Sequence, residues 1–180
     1  SGVIPGKALQ FVQNSNPIQI NDVSLFEQAQ GTGTIEFWYR TPAQGVGTNT
    51  VFKLSDGEIR ISEAQVQVIS RNPQNPASTI TYLTAAKPND THWHHYAVTF
   101  SPTGGALFID GGVKQPTNKE QPIVANATTA QPFVVGLART SLFSFNAKAT
   151  TTYEMDEVRI WSTKKNACLL YTSPSPRDKT

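Results

Sequence analysis

The sequence predicts an all-β domain, a two-layer antiparallel sandwich, and three observations carry that expectation. Apolar and polar residues alternate with period two in segment after segment. In Thr34-Ile35-Glu36-Phe37-Trp38-Tyr39-Arg40 this sets Ile35, Phe37 and Tyr39 on one face of a strand and Glu36, Trp38 and Arg40 on the other. Turn chemistry separates the segments at Asp56-Gly57, Pro102-Thr103-Gly104-Gly105 and Asp110-Gly111-Gly112. Helical periodicity is confined to residues 23–30, a short pattern closed by Gly31. Many short strands divided by Gly and Pro favour stacked antiparallel sheets over alternating β and α units.

In chain order, residues 8–12 and 17–20 are short opening strands, followed by the helical pattern and then the strong alternation of 34–40. Residues 50–54, 58–62, 65–70 and 79–84 continue as strands, the first two divided by Asp56-Gly57. In 94–100, His94, Tyr96, Val98 and Phe100 alternate with His95, Ala97 and Thr99. Residues 106–110 lead into the Asp-Gly turn, and 133–137 form a further short strand. At the end Asp156, Val158 and Ile160 oppose Met155, Glu157, Arg159 and Trp161. The longest irregular stretches are 41–49, 71–78, 115–131 and 139–152, and loops of that length are where a sandwich places function.

At 180 residues the chain suits one domain. Roughly 70% of the extended surface is buried at this size, so no disulfide or metal staple is needed. Cys168 is the lone cysteine, which excludes an internal disulfide and a cysteine zinc site. Hydrophobic residues at 38% and charged ones at 16% are too apolar for a disordered chain and too polar for a membrane protein. A formal charge of +2 gives no electrostatic case for nucleic acid. No apolar run approaches the ~20 residues of a membrane span. Ser1-Gly2-Val3 reads as the interior of a longer protein, so flanking domains are expected.

Four segments, in order, resemble the laminin-G-like, concanavalin A-like lectin/glucanase jelly-roll superfamily, to which pentraxins are related. Ala8-Leu9-Gln10-Phe11 is similar to its opening strand, and Gly33-Thr34-Ile35-Glu36-Phe37-Trp38 to its early Trp-bearing strand. The central hairpin is matched by His92-Trp93-His94-His95-Tyr96-Ala97-Val98-Thr99-Phe100 with Ala106-Leu107-Phe108-Ile109-Asp110-Gly111. Tyr153-Glu154-Met155-Asp156-Glu157-Val158-Arg159-Ile160-Trp161 resembles the closing strand. The resemblance covers residues 7–162 and implies two packed sheets with first and last strands adjacent, Val158 and Ile160 beside Leu9 and Phe11. It also implies a glycan-binding or adhesive module of a larger extracellular or cell-surface protein. Residues 1–6 then read as linker and 163–180 as an unstructured tail.

Catalysis would need the Glu-x-Asp-x-Glu or Glu-x-Asp-x-x-Glu strand of related retaining glucanases, whose carboxylates share one face as nucleophile and acid/base. Here Glu154 and Asp156 are present, but the third position falls on Val158 or Arg159, so the expectation is no enzyme. His92, His94 and His95 would suit a cation only with further ligands, and packing is the preferred reading. The resemblance implies calcium near loop ends, and Asp156, Asn14 and Asp22 are the candidate ligands. The opening strand continues Phe11-Val12-Gln13 where the family commonly has Phe-Asp-Gly.

Sugar binding needs exposed aromatic faces and planar polar groups. The candidate ligand-binding residues are Arg71, Asn72, Asn75, Arg139, Phe143, Phe145 and Asn146, in loops 71–78 and 139–152, for a glycan or surface-protein ligand. Trp38 reads as structural and Trp161 as either. The alternatives are a structural spacer or oligomerisation domain of a surface or phage-like fibre, or a divergent glycoside hydrolase. Finally, residues 168–178 resemble the conceptual translation of a transposase sequencing adapter, which implies a metagenomic fragment and leaves Cys168 without function.

Overall fold

The computed structural model describes residues 8–20, 33–42, 47–53, 57–71, 75, 77–100, 105–114, 143–163 and 165–166. These residues form twelve strands and no helix. The strands are β1 (Leu9–Phe11), β2 (Ile18–Ile20), β3 (Gly33–Arg40), β4 (Thr48–Lys53), β5 (Gly57–Ser62), β6 (Gln65–Arg71), β7 (Thr79–Ala86), β8 (His94–Phe100), β9 (Ala106–Ile109), β10 (Gly112–Lys114), β11 (Phe143–Lys148) and β12 (Tyr153–Trp161). The helical pattern at 23–30 and the strand expected at 133–137 lie outside the described residues.

Two six-stranded sheets result, in the orders β1-β12-β3-β8-β9-β10 and β2-β11-β4-β5-β6-β7. Every recorded pairing is antiparallel. The alternation of β3 explains the core: Ile35, Phe37 and Tyr39 point inward with Tyr96 and Val98, against Phe52, Ile59, Ile61, Val66, Val68 and Leu83 of the second sheet. Phe37 and Phe52 meet across the sheets with ring centroids 4.8 Å apart. Burying such side chains contributes about 1.5–3 kcal/mol each, and the first and last strands adjoin as expected.

Three local readings need correction. The terminal strands pair as Leu9↔Met155 and Phe11↔Tyr153, so Tyr153 and Met155, not Val158 and Ile160, lie beside the opening strand. The cause is a bulge in β12, which pairs Asp156 with Trp38 and Arg159 with Glu36. Three steps on one strand match two on the other, and Glu157 adopts φ 47° there. The bulge reverses the alternation: Tyr153 and Met155 face the core before it, and Val158 and Ile160 pack against the core after it. Asp156 therefore shares the outer face with Arg159 rather than the inner face with Val158.

The third correction concerns residues 139–152, which include β11, an interior strand bonded to β2 on one side and β4 on the other. Its Ser- and Asn-containing composition masked a segment that backbone pairing on both edges holds extended.

The outer face of the first sheet is also covered. Thr34, Glu36, His95, Ala97 and Thr99 are all buried there, and Phe108 packs with Ala97 in a small second cluster. Part of that cover comes from the chain just past β12. Thr34 Oγ1 donates to the Thr163 carbonyl at 2.7 Å and accepts from the Lys165 amide at 3.0 Å. The chain thus stays on the sheet beyond residue 162, while residues 167–180 lie outside the described part.

Candidate functional site

At one end of the sandwich, where β3 finishes and β8 begins, the rim opens into a small cleft of about 20 Å³. Thr41, Glu63, Lys87, Asn89 and Asp90 border it, with Asn49, Tyr39 and Ile61 buried beneath. Asn49 organises its floor. This buried side chain donates from Nδ2 to Tyr39 Oη (3.2 Å) and Thr151 Oγ1 (2.9 Å). Its Oδ1 accepts the amides of Thr150 (2.8 Å) and Thr151 (3.1 Å), tying β4 to the link between β11 and β12. Thr150 Oγ1 donates to the Thr48 carbonyl at 2.9 Å. Gly47 is required beside it, because a Cβ there would lie 2.5 Å from Thr150 Oγ1 and 2.8 Å from Thr151 Cγ2.

On the adjoining side, His94 sits between two carboxylates. Its Nδ1 lies 2.7 Å from Asp110 Oδ2 and its Nε2 lies 2.9 Å from Asp90 Oδ1. Partial burial alone favours the neutral ring, but hydrogen bonds to Asp110 and Asp90, and their charges, outweigh it and hold the His94 pKa above its ordinary value. Asp90 is drawn down to about 2, chiefly by His94 and by the backbone amide of His92. Asp110 and Gly111, at φ 52° and 74°, form the two-residue turn between β9 and β10, as the Asp-Gly pair predicts. Burial pushes the Tyr39 hydroxyl up to about 12. Behind the rim, Arg40 Nε donates to Glu154 Oε2 at 2.6 Å, and the guanidinium lies 4.9 Å from the Trp93 ring centre.

The histidines do not share a cation. His92 precedes β8 and is 84% exposed, reaching Asp90 at 3.3 Å, while His95 is buried beside Glu36. Among the described residues no three His, Cys, Asp or Glu side chains could hold a metal.

The two described candidate calcium ligands, Asn14 and Asp156, do not come together. Asn14 occupies a left-handed turn position (φ 63°) past β1, with its amide on the Ala149 carbonyl. Asp156 lies on the outer face, its Oδ1 accepting the Glu157 amide at 2.8 Å and so capping the bulge. Tyr153 to Asp156 alone spans about 10 Å of strand, and Asn14 lies beyond the Tyr153 end of that pairing. Asp22 is outside the described residues. The described pair therefore does not fit one shared ion.

Of the candidate sugar-binding residues, Arg71, Asn75 and Phe143 lie toward the opposite end, separated from the cleft by the length of β6, about 20 Å, but the structure does not bring them together. Arg71 ends β6, and Phe143 begins β11 three strands away in the same sheet. Phe145 and Asn146 follow in β11. Asn75 Oδ1 accepts the Ala77 amide at 3.2 Å, which makes it a turn former. Asn72 and Arg139 lie outside the described residues. Trp38 faces outward against the His95 ring, with centroids 5.3 Å apart.

Asn49, Asp90, His94 and Asp110 were not among the expected site residues. Asp90 stands four residues before His94 and Asp110 opens an Asp-Gly turn; those spacings were the available signals.

A laminin G family model, described as the concanavalin A-like lectin/glucanases superfamily, matches residues 12–168. The chain belongs to the concanavalin A-like lectin/glucanases superfamily. The solved structures similar to this laminin-G-type domain include the binding domain of botulinum neurotoxin DC in complex with rat synaptotagmin II. It is 14% identical, with a TM-score of 0.64 and coverage of 91% of this chain and 41% of that one. The botulinum neurotoxin type G receptor-binding domain is 17% identical (TM-score 0.61, 90% and 41%). The neurotoxin DC binding domain in complex with SialylT is 12% identical (TM-score 0.62, 93% and 44%). At such identities the likeness speaks for the fold, and this chain spans less than half the length of those domains. No curated protein matches the sequence.

Within the superfamily's glucanase pattern, β12 offers Glu154 and Asp156 on the outer face, and the bulge delivers Arg159 to the next outer position. Arg159 is paired with Glu157 and cannot serve as acid or base. Among the described residues no helix is long and apolar enough to cross a membrane.

Proposed function

We infer that this domain is a non-catalytic recognition module of an extracellular or cell-surface protein, and that its ligand is a carbohydrate held on the exposed polar rim around this small cleft. The observation that carries this reading is the cleft's lining: Asn89, Thr41, Thr151, Lys87, Glu63 and Asp90 border one small opening, with Asn49 buried as its floor. Hydroxyl-rich ligands are bound by such amides and carboxylates. Tyr39 and Ile61 lie buried beneath the opening, and the Asn49 network fixes the floor in advance, which limits the ordering cost of binding. Similar folds carry binding roles, since solved neighbours are described as binding or receptor-binding domains. Fold alone does not transmit function, so the cleft bears the weight.

The test is a glycan array probed with the wild-type domain and with Lys87→Ala and Glu63→Ala. Saturable hits weakened about tenfold or more in either variant support the reading, on the scale of one lost charged hydrogen bond. Uniform silence contradicts it and favours a structural spacer, while saturable hits indifferent to both substitutions contradict the cleft as the site and move binding elsewhere on the domain.

A further inference from the structure

We propose that protonated His94 is a pH-set clamp that fixes Asp90 at the mouth of the rim cleft, so that the mouth is organised at low pH and loosened as pH rises. That the cleft takes a glycan rests on the reading above; the clamp itself does not.

The geometry requires a charged ring. A carboxylate only accepts hydrogen bonds, and each ring nitrogen of His94 faces one, at 2.7 Å and 2.9 Å. Both nitrogens therefore donate, which only the imidazolium does. The neutral ring carries one N–H, so it keeps one carboxylate and turns a lone pair toward the other.

Which partner is released follows from how each is anchored. Asp110 is fixed by backbone: its Oδ1 accepts the His95 amide at 2.9 Å and its own amide donates to the His95 carbonyl at 2.8 Å. The other recorded bonds of Asp90 come from His92 of its own link, through the amide at 2.7 Å and the exposed ring at 3.3 Å. Loss of one N–H thus frees Asp90 from His94, while Trp93 of the same connection keeps its contact with Arg40. The titratable neighbours of His94 are Asp90 and His92 from that link, Asp110 from the turn, and Tyr39 and Tyr96 from β3 and β8, both phenols held far above neutrality. Across the cleft stand Glu63 and Lys87. Of these, the imidazoles alone have an ordinary pKa within the range between about pH 5 and 8.

The sign is fixed by the raised pKa of His94. The clamp is complete below the ordinary histidine value and is lost as pH rises through the higher folded value.

The experiment is an NMR titration of the ligand-free full chain from about pH 5.5 to about pH 8.5. It follows the histidine rings and the backbone amides of residues 89–92. The His94 ring is expected to titrate above the ordinary histidine value, and the amides to follow the His94 midpoint. In His94→Gln the amides lose that pH-dependent change. Asp110→Asn keeps the imidazole and is expected to lower the His94 midpoint, which preserves the test should His94→Gln fail to fold. Amides that do not follow the His94 midpoint, or that titrate unchanged in His94→Gln, overturn the clamp. A parallel glycan titration is expected to lose about three- to tenfold in affinity across that range in wild type and none in His94→Gln. If no glycan binds, the carbohydrate reading falls while the ligand-free titration still decides the clamp.

Discussion

The indole N–H of Trp161 donates to a carboxylate that solvent does not reach: Nε1 lies 2.6 Å from Oε1 of Glu36, whose side chain is fully buried. Lys165 closes the arrangement, with Nζ 3.7 Å from the same oxygen and 3.3 Å from the centre of the Trp161 ring. His95 Nε2 lies 3.3 Å from the other oxygen, off the line of a good hydrogen bond. Trp161 is 36% exposed; the ammonium occupies one ring face, and the N–H bond latches this strand end and the chain after it onto the sheet.

Replacing Trp161 by Phe keeps the ring and removes the donor. Losing a hydrogen bond to a buried charged group is expected to cost about 1.5–3 kcal/mol. The measurement is denaturant unfolding, with a lower midpoint at unchanged slope.

Glu36 also sets an acid limit. Burial alone pushes its carboxyl upward, but the His95 ring, the Trp161 indole and the Lys165 charge outweigh that and hold it below the ordinary carboxylate value. A depressed folded pKa gives stability that is complete above the unfolded value near 4.5 and is lost as pH falls through the folded one. Unfolding free energy measured between about pH 6 and about pH 3 is expected to fall less steeply in Glu36→Gln than in wild type. A residual slope remains, because Asp90, drawn down to about 2, contributes in the same direction.

The left-handed backbone at Glu157 yields a paired prediction. A β-branched side chain at φ 47° is strained by about 1–3 kcal/mol. Glu157→Val is therefore expected to destabilise by that much, while Glu157→Gly relieves strain and forfeits only the half-exposed pair with Arg159, worth about 0–1 kcal/mol. Thermal melts of the two variants should fall on opposite sides of each other, with Val the lower.

The cleft floor is tested at Gly47 and Asn49. Gly47→Ala drives a methyl against Thr150, a stiff β-branched residue already bonded to the Thr48 carbonyl, at an expected cost of about 1–3 kcal/mol. Asn49→Ala leaves the amides of Thr150 and Thr151 without their acceptor, about 1–3 kcal/mol for each buried group. Both should lower the unfolding midpoint and alter the amide shifts of 150 and 151.

What the sequence revealed and what it hid divide along physical lines. Alternation in Thr34–Arg40 and His94–Phe100 is a period-two signal imposed by a buried face, and both strands are where it puts them. The pairing of first and last strands followed from the family resemblance, and it holds. A bulge leaves no such trace: one extra residue at Glu157 reverses which side chains face inward, and nothing in Met155-Asp156-Glu157-Val158 marks the reversal beforehand. Phe143–Lys148 was hidden because its extended form depends on β2 and β4, strands far away in sequence. The cleft was illegible for the same reason, since Asn49, Glu63, Lys87, Asp90 and Thr151 meet only after both sheets have formed.

The most direct measurement is chemical-shift mapping of the labelled domain during titration with a saturating glycan hit at about pH 6. Perturbations gathered at Thr41, Asn49, Glu63, Lys87, Asn89, Asp90 and Thr151 are the expected result. Perturbations confined to the far end, around Arg71 and Asn75 or the start of β11, would contradict the account and return the binding site to the loops at the other end of the sandwich.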